Sequence, residues 1–240
     1  MTGAGPAAAN GVAGGLTLLF DGDDTLWPNN HIFETAIERF VRIVEGGTWT
    51  GQAVRDELDR VEEAAWSVRG GGTNAFRHNL EEAARAIVRP ERLPVVVDAL
   101  DAIVHEMPSA EAEPLPDVEA TLDALGARHV LGLVTRGDPA EQWAKIDASG
   151  LRGRFRHIEV VRDKDEGTYR RLIGAWSLDP SRTWMIGNSP RSDIAPARAA
   201  GLGAVHIPGA STWRLELAEL DPDDPRTVRL ESFADLVRLF

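Results

Sequence analysis

Leu16-Thr17-Leu18-Leu19-Phe20-Asp21-Gly22-Asp23-Asp24-Thr25-Leu26-Trp27 is the stretch on which the reading of the whole chain turns. Residues 16–20 are an apolar run of strand length. The run stops at three acids within four positions, Asp21, Asp23 and Asp24. Strand-like and helix-like segments alternate further on, so the run reads as a buried parallel strand. Open α/β sheets place their sites beyond the carboxyl ends of such strands. Carboxylates crowded there repel one another unless a cation or shared protons relieve them. A divalent metal answers that need, and hard oxygen ligands suit Mg²⁺. Taken alone, the same residues also read as an Asp- and Gly-rich turn after a strand.

Composition narrows the field. The chain has 240 residues, 43% hydrophobic and 27% charged, as expected of a soluble globular protein with one large or two modest domains. Its net charge of −12 argues against a broad basic face for nucleic acid. With no cysteine there is neither a disulfide framework nor a thiolate nucleophile or ligand. No apolar run approaches the roughly 18 residues of a membrane span. Residues 1–15 are small and uncharged, without the basic start and Leu-rich core of a signal peptide. They read as a disordered leader to a cytoplasmic protein.

Outward from the acidic strand, four helical patterns follow with no convincing strand among them. They carry Phe33, Ile37, Phe40, Val41 and Val44; Val54, Leu58, Val61, Ala65 and Val68; Phe76, Leu80 and Ile87; and Leu93, Val96, Leu100, Ile103 and Met107. Gly70-Gly71-Gly72 breaks the second, Thr73 is a candidate N-cap for the third, Pro90 ends the third and Pro108 stops the fourth. From Pro114 onward the alternation resumes, with Asp117 capping a helix through Leu125. Four more strands read at 130–134, 157–161, 183–186 and 204–207, with helices after Pro139, around Tyr169 and from about Arg191 to Ala200. A last helix is expected near Leu236. This is the pattern of an α/β, doubly wound parallel sheet with a helical insert after its first strand.

Asp21-Gly22-Asp23-Asp24-Thr25-Leu26 resembles the first motif of the haloacid dehalogenase superfamily, and three later segments resemble the other motifs in order. Thr135 closes the second strand, Lys164 follows the third, and Gly187-Asn188-Ser189-Pro190-Arg191-Ser192-Asp193 ends the fourth. The resemblance covers about residues 16–215. It implies a catalytic core of residues 16–27 and 111–240 and a helical C1 cap over residues 28–110. It further implies a phosphomonoesterase that acts on a small phosphorylated metabolite through an aspartyl-phosphate.

In that scheme Asp21 is the nucleophile and Asp23 the general acid/base. Thr135, Arg136 (through its main-chain N–H) and Lys164 hold phosphoryl oxygens, and Mg²⁺ is held by Asp21, Asp23 (through its main-chain carbonyl), Asn188 and Asp193. Asn188 departs from the common pattern, which has an acid there. Gln142, Lys145 and the 165–169 run add likeness to the phosphohydrolase branch, and the three glycines resemble a segment that either faces substrate or merely turns between helices. Alternatives on the same residues are a phosphomutase or phosphotransferase, a haloacid dehalogenase, and a catalytically idle binding protein with this fold. Trp27, Trp49, Trp66 and Trp143 read as packing residues rather than stacking platforms.

Overall fold

The computed structural model describes residues 14–46, 49–107, 112–210 and 212–240. Most of the leader expected at residues 1–15, and the helix stop expected at Pro108, lie outside the described residues. So does the exit of the expected cap at 108–110.

Six parallel strands form one sheet. β1 (Thr17–Phe20) lies between β2 (Val130–Arg136) and β4 (Thr183–Gly187). β3 (His157–Val161) flanks β2, while β5 (Gly203–His206) and β6 (Thr227–Arg229) extend the other side. Successive β1 side chains go to opposite faces, as strand geometry requires. Leu18 and Phe20 join a core with Leu122, Ile146 and Leu236; Leu19 joins the other core with Tyr169, Leu172 and Leu202. Both faces are therefore covered, which explains why residues 16–20 are continuously apolar rather than alternating. Phe20 stands level with Leu133 and Ile186, so Asp21, Thr135 and Asn188 sit one or two residues past a common line.

Between β1 and the rest of the sheet come α1 (Asn30–Val44), α2 (Gly51–Arg69), α3 (Thr73–Ile87) and α4 (Leu93–His105). Their apolar stripes meet only one another, in a cluster including Phe40, Leu58, Leu80, Leu100 and Ile103. The chain leaves the sheet and returns to it through a narrow neck, where the Leu115 N–H donates to the Leu26 carbonyl at 2.8 Å. Among the described residues no helix is long and apolar enough to cross a membrane.

Four local readings change. The sheet has a sixth strand, β6, in the tail: three residues that pair with β5 through the main chain and are too short for a periodic signal. The helix expected from Arg191 to Ala200 is two pieces, a wide π-type turn at Pro190–Ile194 and a short helix at Ala195–Ala199. Asp117 is left-handed (φ 65°) and makes no capping bond to the helix it precedes, α5 (Val118–Gly126). Thr73 is the first residue of α3 rather than its cap. Gly72 holds that place at φ 108°, with the Asp138 Cβ only 3.1 Å from where a Cβ would be.

Candidate active site

Beyond β1 the chain folds tightly on itself. The Gly22 carbonyl accepts from the N–H groups of Leu26 (2.8 Å) and Thr25 (3.2 Å). The turn brings the Trp27 ring back over Gly22, where a Cβ would stand 2.7 Å from it. Asp24 takes the left-handed conformation (φ 60°), and its carboxylate accepts from the N–H groups of Asn29 (2.9 Å) and Asn30 (3.1 Å). The third acid of the cluster therefore secures the start of α1. Asn29, the residue before that helix, makes no side-chain cap bond of its own.

Asp21 is 6% exposed. One of its carboxylate oxygens meets Lys164 Nζ, and the other accepts from Thr25 Oγ1 at 2.9 Å. Lys164, 4% exposed, also donates to Asp193 Oδ1 at 2.7 Å. Asp193 is 1% exposed, and its second oxygen accepts from the Ser189 N–H at 3.0 Å. The wide turn drives its carboxylate so close to β4 that only a glycine fits at 187. Burial, and then the charge of Asp193, push the Asp21 carboxyl up to about 7, and the opposing pull of Lys164 does not cancel them. For Lys164, burial works against the ammonium, yet the two carboxylates win and its pKa is raised. Two buried acids thus share a single ammonium.

Asp23 turns the other way. Its carboxylate accepts from Trp27 Nε1 (2.7 Å), Gln142 Nε2 (2.9 Å) and Lys145 Nζ (2.9 Å). Gln142 and Lys145 stand one turn apart on α6 (Pro139–Ala148) and so face the same way. Lys145 is held in turn by Asn29 Oδ1 at 2.6 Å, and Gln142 Oε1 accepts from Thr135 Oγ1 at 2.8 Å. Asp23, Gln142 and Thr135 therefore form one hydrogen-bonded chain. The sequence placed both α6 residues in a resembling pattern but assigned them no task. Their spacing of three on one helix face was the available signal.

Asn188 is buried, and its side-chain oxygen accepts from Thr25 Oγ1 at 3.3 Å, so Thr25 links it to Asp21. Among the described residues no three His, Cys, Asp or Glu side chains converge on a metal position. Lys164 joins Asp21 to Asp193, and Thr25 joins Asp21 to the uncharged Asn188. The oxygens of Asp21, Asp193 and Asn188 are short of positive charge and are all hard donors, which fits Mg²⁺.

Arg136 lines the same cavity, but its guanidinium is already paired. It donates to Ser192 Oγ at 2.7 Å, pairs with Glu216 and lies 4.4 Å over the Trp66 ring of α2. Glu216 also accepts from Ser192 Oγ at 2.6 Å and from Ser189. Although burial opposes it, the Arg136 charge and these hydroxyls hold the Glu216 carboxyl below its ordinary range. Further bonds close the helices over the sheet: Thr73 N–H to Glu141 (3.0 Å), Arg162 to the Ser67 carbonyl (2.8 Å) and Arg214 to Asp59 (2.8 Å).

A cavity of about 180 Å³ is left between the two layers. Its floor includes Asp21, Asp23, Thr135 and Lys164. Its roof comes from the helices: Phe33 packed edge-on against Phe76 at 5.1 Å, Trp66, and Gly70-Gly71-Gly72, which both turns the chain and walls the cavity. Trp27 is in the core, and Trp143 and Trp49 pack at the margins of hydrophobic clusters. Glu62 of α2 also lines the cavity at 6% exposure. Its Oε2 is buried without a hydrogen-bond partner among the described residues. Nothing in the sequence marked Glu62, which lies beside an apolar helix stripe like any border residue.

Comparison with known proteins agrees with this architecture. Residues 16–201 match the family model of haloacid dehalogenase-like hydrolases. A glyceraldehyde 3-phosphate phosphatase of Methanopyrus kandleri is 28% identical over 197 residues, 79% of this chain and 82% of that one. A phosphoserine phosphatase of Thermus thermophilus is 30% identical over 154 residues, 62% and 58% of the two chains. The crystal structure of a haloacid dehalogenase-like family hydrolase from Xanthomonas campestris is 26% identical, covers 94% of each chain and superposes with a TM-score of 0.77.

Proposed function

Since this chain belongs to the haloacid dehalogenase-like hydrolase family, we propose that it is a phosphatase that cleaves small phosphomonoesters through an aspartyl-phosphate on Asp21. The observation that carries the reading is the pair of acids two residues apart in one cavity. Asp21 is held by Lys164, and Asp23 by Lys145, Gln142 and Trp27. A nucleophile alone would serve a dehalogenase. A second acid beside it serves a reaction whose leaving oxygen needs a proton. The phosphatases among the similar proteins support the same substrate class.

Asp21 attacks phosphorus in line, and the bond to the leaving oxygen breaks as Asp23 gives that oxygen a proton. Asp23, now a base, takes a proton from water, and the hydroxide oxygen attacks phosphorus and frees the Asp21 carboxylate. Lys164 balances negative charge as the anionic phosphoryl group meets the carboxylate. The Thr135 hydroxyl, which donates to Gln142 here, is the donor beside the phosphoryl position. Arg136 would reach a phosphoryl oxygen only through its main-chain N–H, because its guanidinium is paired with Glu216 and Ser192 and lies over Trp66. Asp21, Asp193, Asn188 and the Asp23 carbonyl would hold Mg²⁺, which supplies positive charge between two anions.

The test is phosphate release from a panel of small phosphate esters, with and without Mg²⁺, by the wild type and by Asp21→Asn. Turnover by the wild type, lost in Asp21→Asn, is the expected result. A variant that keeps a substantial fraction of the activity rules out Asp21 as the nucleophile. Wild-type protein inert toward every ester rules out the phosphatase.

A further inference from the structure

Among the described residues, Glu62 in the cavity roof is the side chain with a buried polar atom left without a hydrogen-bond partner. It comes from α2, faces the cavity at 6% exposure, and leaves Oε2 buried without a partner among the described residues. The Trp213 side chain lies close enough to pull its carboxyl back toward the ordinary range, without cancelling the rise. The acids that act on it, Glu34 and Asp59, each hold an arginine of their own. Arg55 pairs with Glu34 at 3.0 Å, and Arg214 pairs with Asp59 at 2.8 Å. Glu34 and Asp59 add negative charge around Glu62, and among the described residues no cation offsets them at its carboxyl. A buried acceptor left open in this way is costly and is kept where something arrives to satisfy it. Burial is the main reason its carboxyl rises to about 7.

The floor of the cavity holds the proposed phosphoryl-transfer groups, so a substrate placed there points its alcohol portion at the roof. We propose that Glu62 reads the leaving group by accepting a hydrogen bond from a hydroxyl or ammonium on it. The protein then favours phosphomonoesters of donor-bearing alcohols, polyols or amino alcohols, over those of plain or carboxylate-bearing alcohols. The inference rests on the phosphatase reading and deepens it. A carboxylate on the leaving group would meet Glu62 and Glu34 with like charge, whereas a donor completes the open oxygen. A site built to bond a donor rejects an analogue without one more strongly than an apolar pocket rejects a change in size.

The experiment compares kcat and KM for glycerol phosphate, 2-aminoethyl phosphate, ethyl phosphate, carboxymethyl phosphate and an aryl phosphate. The proteins are the wild type, Glu62→Gln and Glu62→Met, each checked for folding by its thermal transition. Wild-type kcat/KM should favour at least one donor-bearing ester over ethyl phosphate by roughly tenfold or more. The gap should shrink in Glu62→Met, chiefly through KM, and carboxymethyl phosphate should lose part of its handicap. Glu62→Gln keeps an acceptor oxygen without charge, so it should preserve more of the preference for glycerol phosphate than for 2-aminoethyl phosphate. A merely structural Glu62 would change every substrate by the same factor, and that result overturns the inference. So does a preference that survives Glu62→Met in full, or a wild type that hydrolyses ethyl phosphate as well as the donor-bearing esters. If the wild type hydrolyses nothing, the phosphatase reading falls first and takes this inference with it.

Discussion

Replacing Glu62 by Gln should make stability depend on pH in a defined way. In the folded protein the carboxyl rises from its ordinary 4.5 to about 7, chiefly through burial. In the unfolded chain it returns to the ordinary value. Between those two pH values the folded state keeps a proton that the unfolded state releases, so stability falls as pH rises through the window. The penalty is absent below 4.5 and complete above 7. Each pKa unit is worth about 1.4 kcal/mol, so a shift of this size gives an upper figure of about 3 kcal/mol. Water entering the cavity beside Oε2 reduces that figure, and roughly 1.5–3 kcal/mol is the expected range. Gln does not titrate, and all other groups are shared, so their contributions cancel in the difference. Urea unfolding of both proteins at about pH 8 and about pH 4.5 isolates the term. At the higher pH Glu62→Gln should be the more stable relative to wild type, with a thermal midpoint raised by roughly 5 °C at 2–4 °C per kcal/mol. Toward the lower pH that relative gain should vanish. A difference between the two proteins that is the same at both pH values refutes the reasoning, because the buried carboxyl would then carry no open charge.

Three further outcomes follow from the geometry. Lys145→Met removes one of the three groups that position the Asp23 carboxyl and should lower kcat for alkyl phosphates by about tenfold or more. An aryl phosphate, whose leaving group needs less protonation, should suffer less, and equal losses with phosphoenzyme formation limiting both would contradict the role. Asn188→Asp adds a charged oxygen beside Asp21 and Asp193 and should tighten Mg²⁺ binding in a calorimetric titration; an unmoved isotherm would place the cation elsewhere. Gly22→Ala puts a Cβ 2.7 Å from the Trp27 ring and should cost about 1–3 kcal/mol in urea unfolding, whereas a neutral result would mean that the turn is free to open.

What could be read in advance followed the strands. Asp21, Thr135, Asn188 and Asp193 were legible because each lies at or just past a strand whose apolar run announces its own end, and parallel pairing brings those ends together. The stripes of α1–α4 were legible for a similar reason, since each helix buries one face only. Where side chains choose between partners distant in sequence, the pattern was silent. Arg136 was expected to offer its main-chain N–H to phosphate because it follows Thr135; that its guanidinium takes Glu216, Ser192 and Trp66, which lie 56 to 80 positions away in three separate segments, was not legible. Asp24 looked like a third member of an acid cluster, yet the left-handed turn points it at α1. Lys145 and Gln142 were visible as residues but not as partners of Asp23. β6 escaped because three residues on a sheet edge carry no period, and main-chain bonds to β5 define it.

The hydrogen bond between Leu26 and Leu115 has a consequence for how such a molecule can change. More than eighty residues depart and come back through that one contact, and their apolar cluster is their own. The segment is therefore a cassette. It can lengthen, shorten or be exchanged while the two ends of its neck stay side by side, and β1 keeps its register with β2 and β4. Interstrand spacing, a backbone constant of about 4.8 Å, sets the separation of the reacting groups on the floor. The roof that faces the variable half of a substrate is free of that ruler. Grafting residues 28–107 from a relative onto this sheet is thus the economical route to a new selectivity, and among the described residues the contacts to be rebuilt with it include Thr73 to Glu141, Arg162 to Ser67, Asp59 to Arg214, Asn29 to Lys145 and Asp24, Asn30 to Asp24, and the Trp66 ring beneath Arg136.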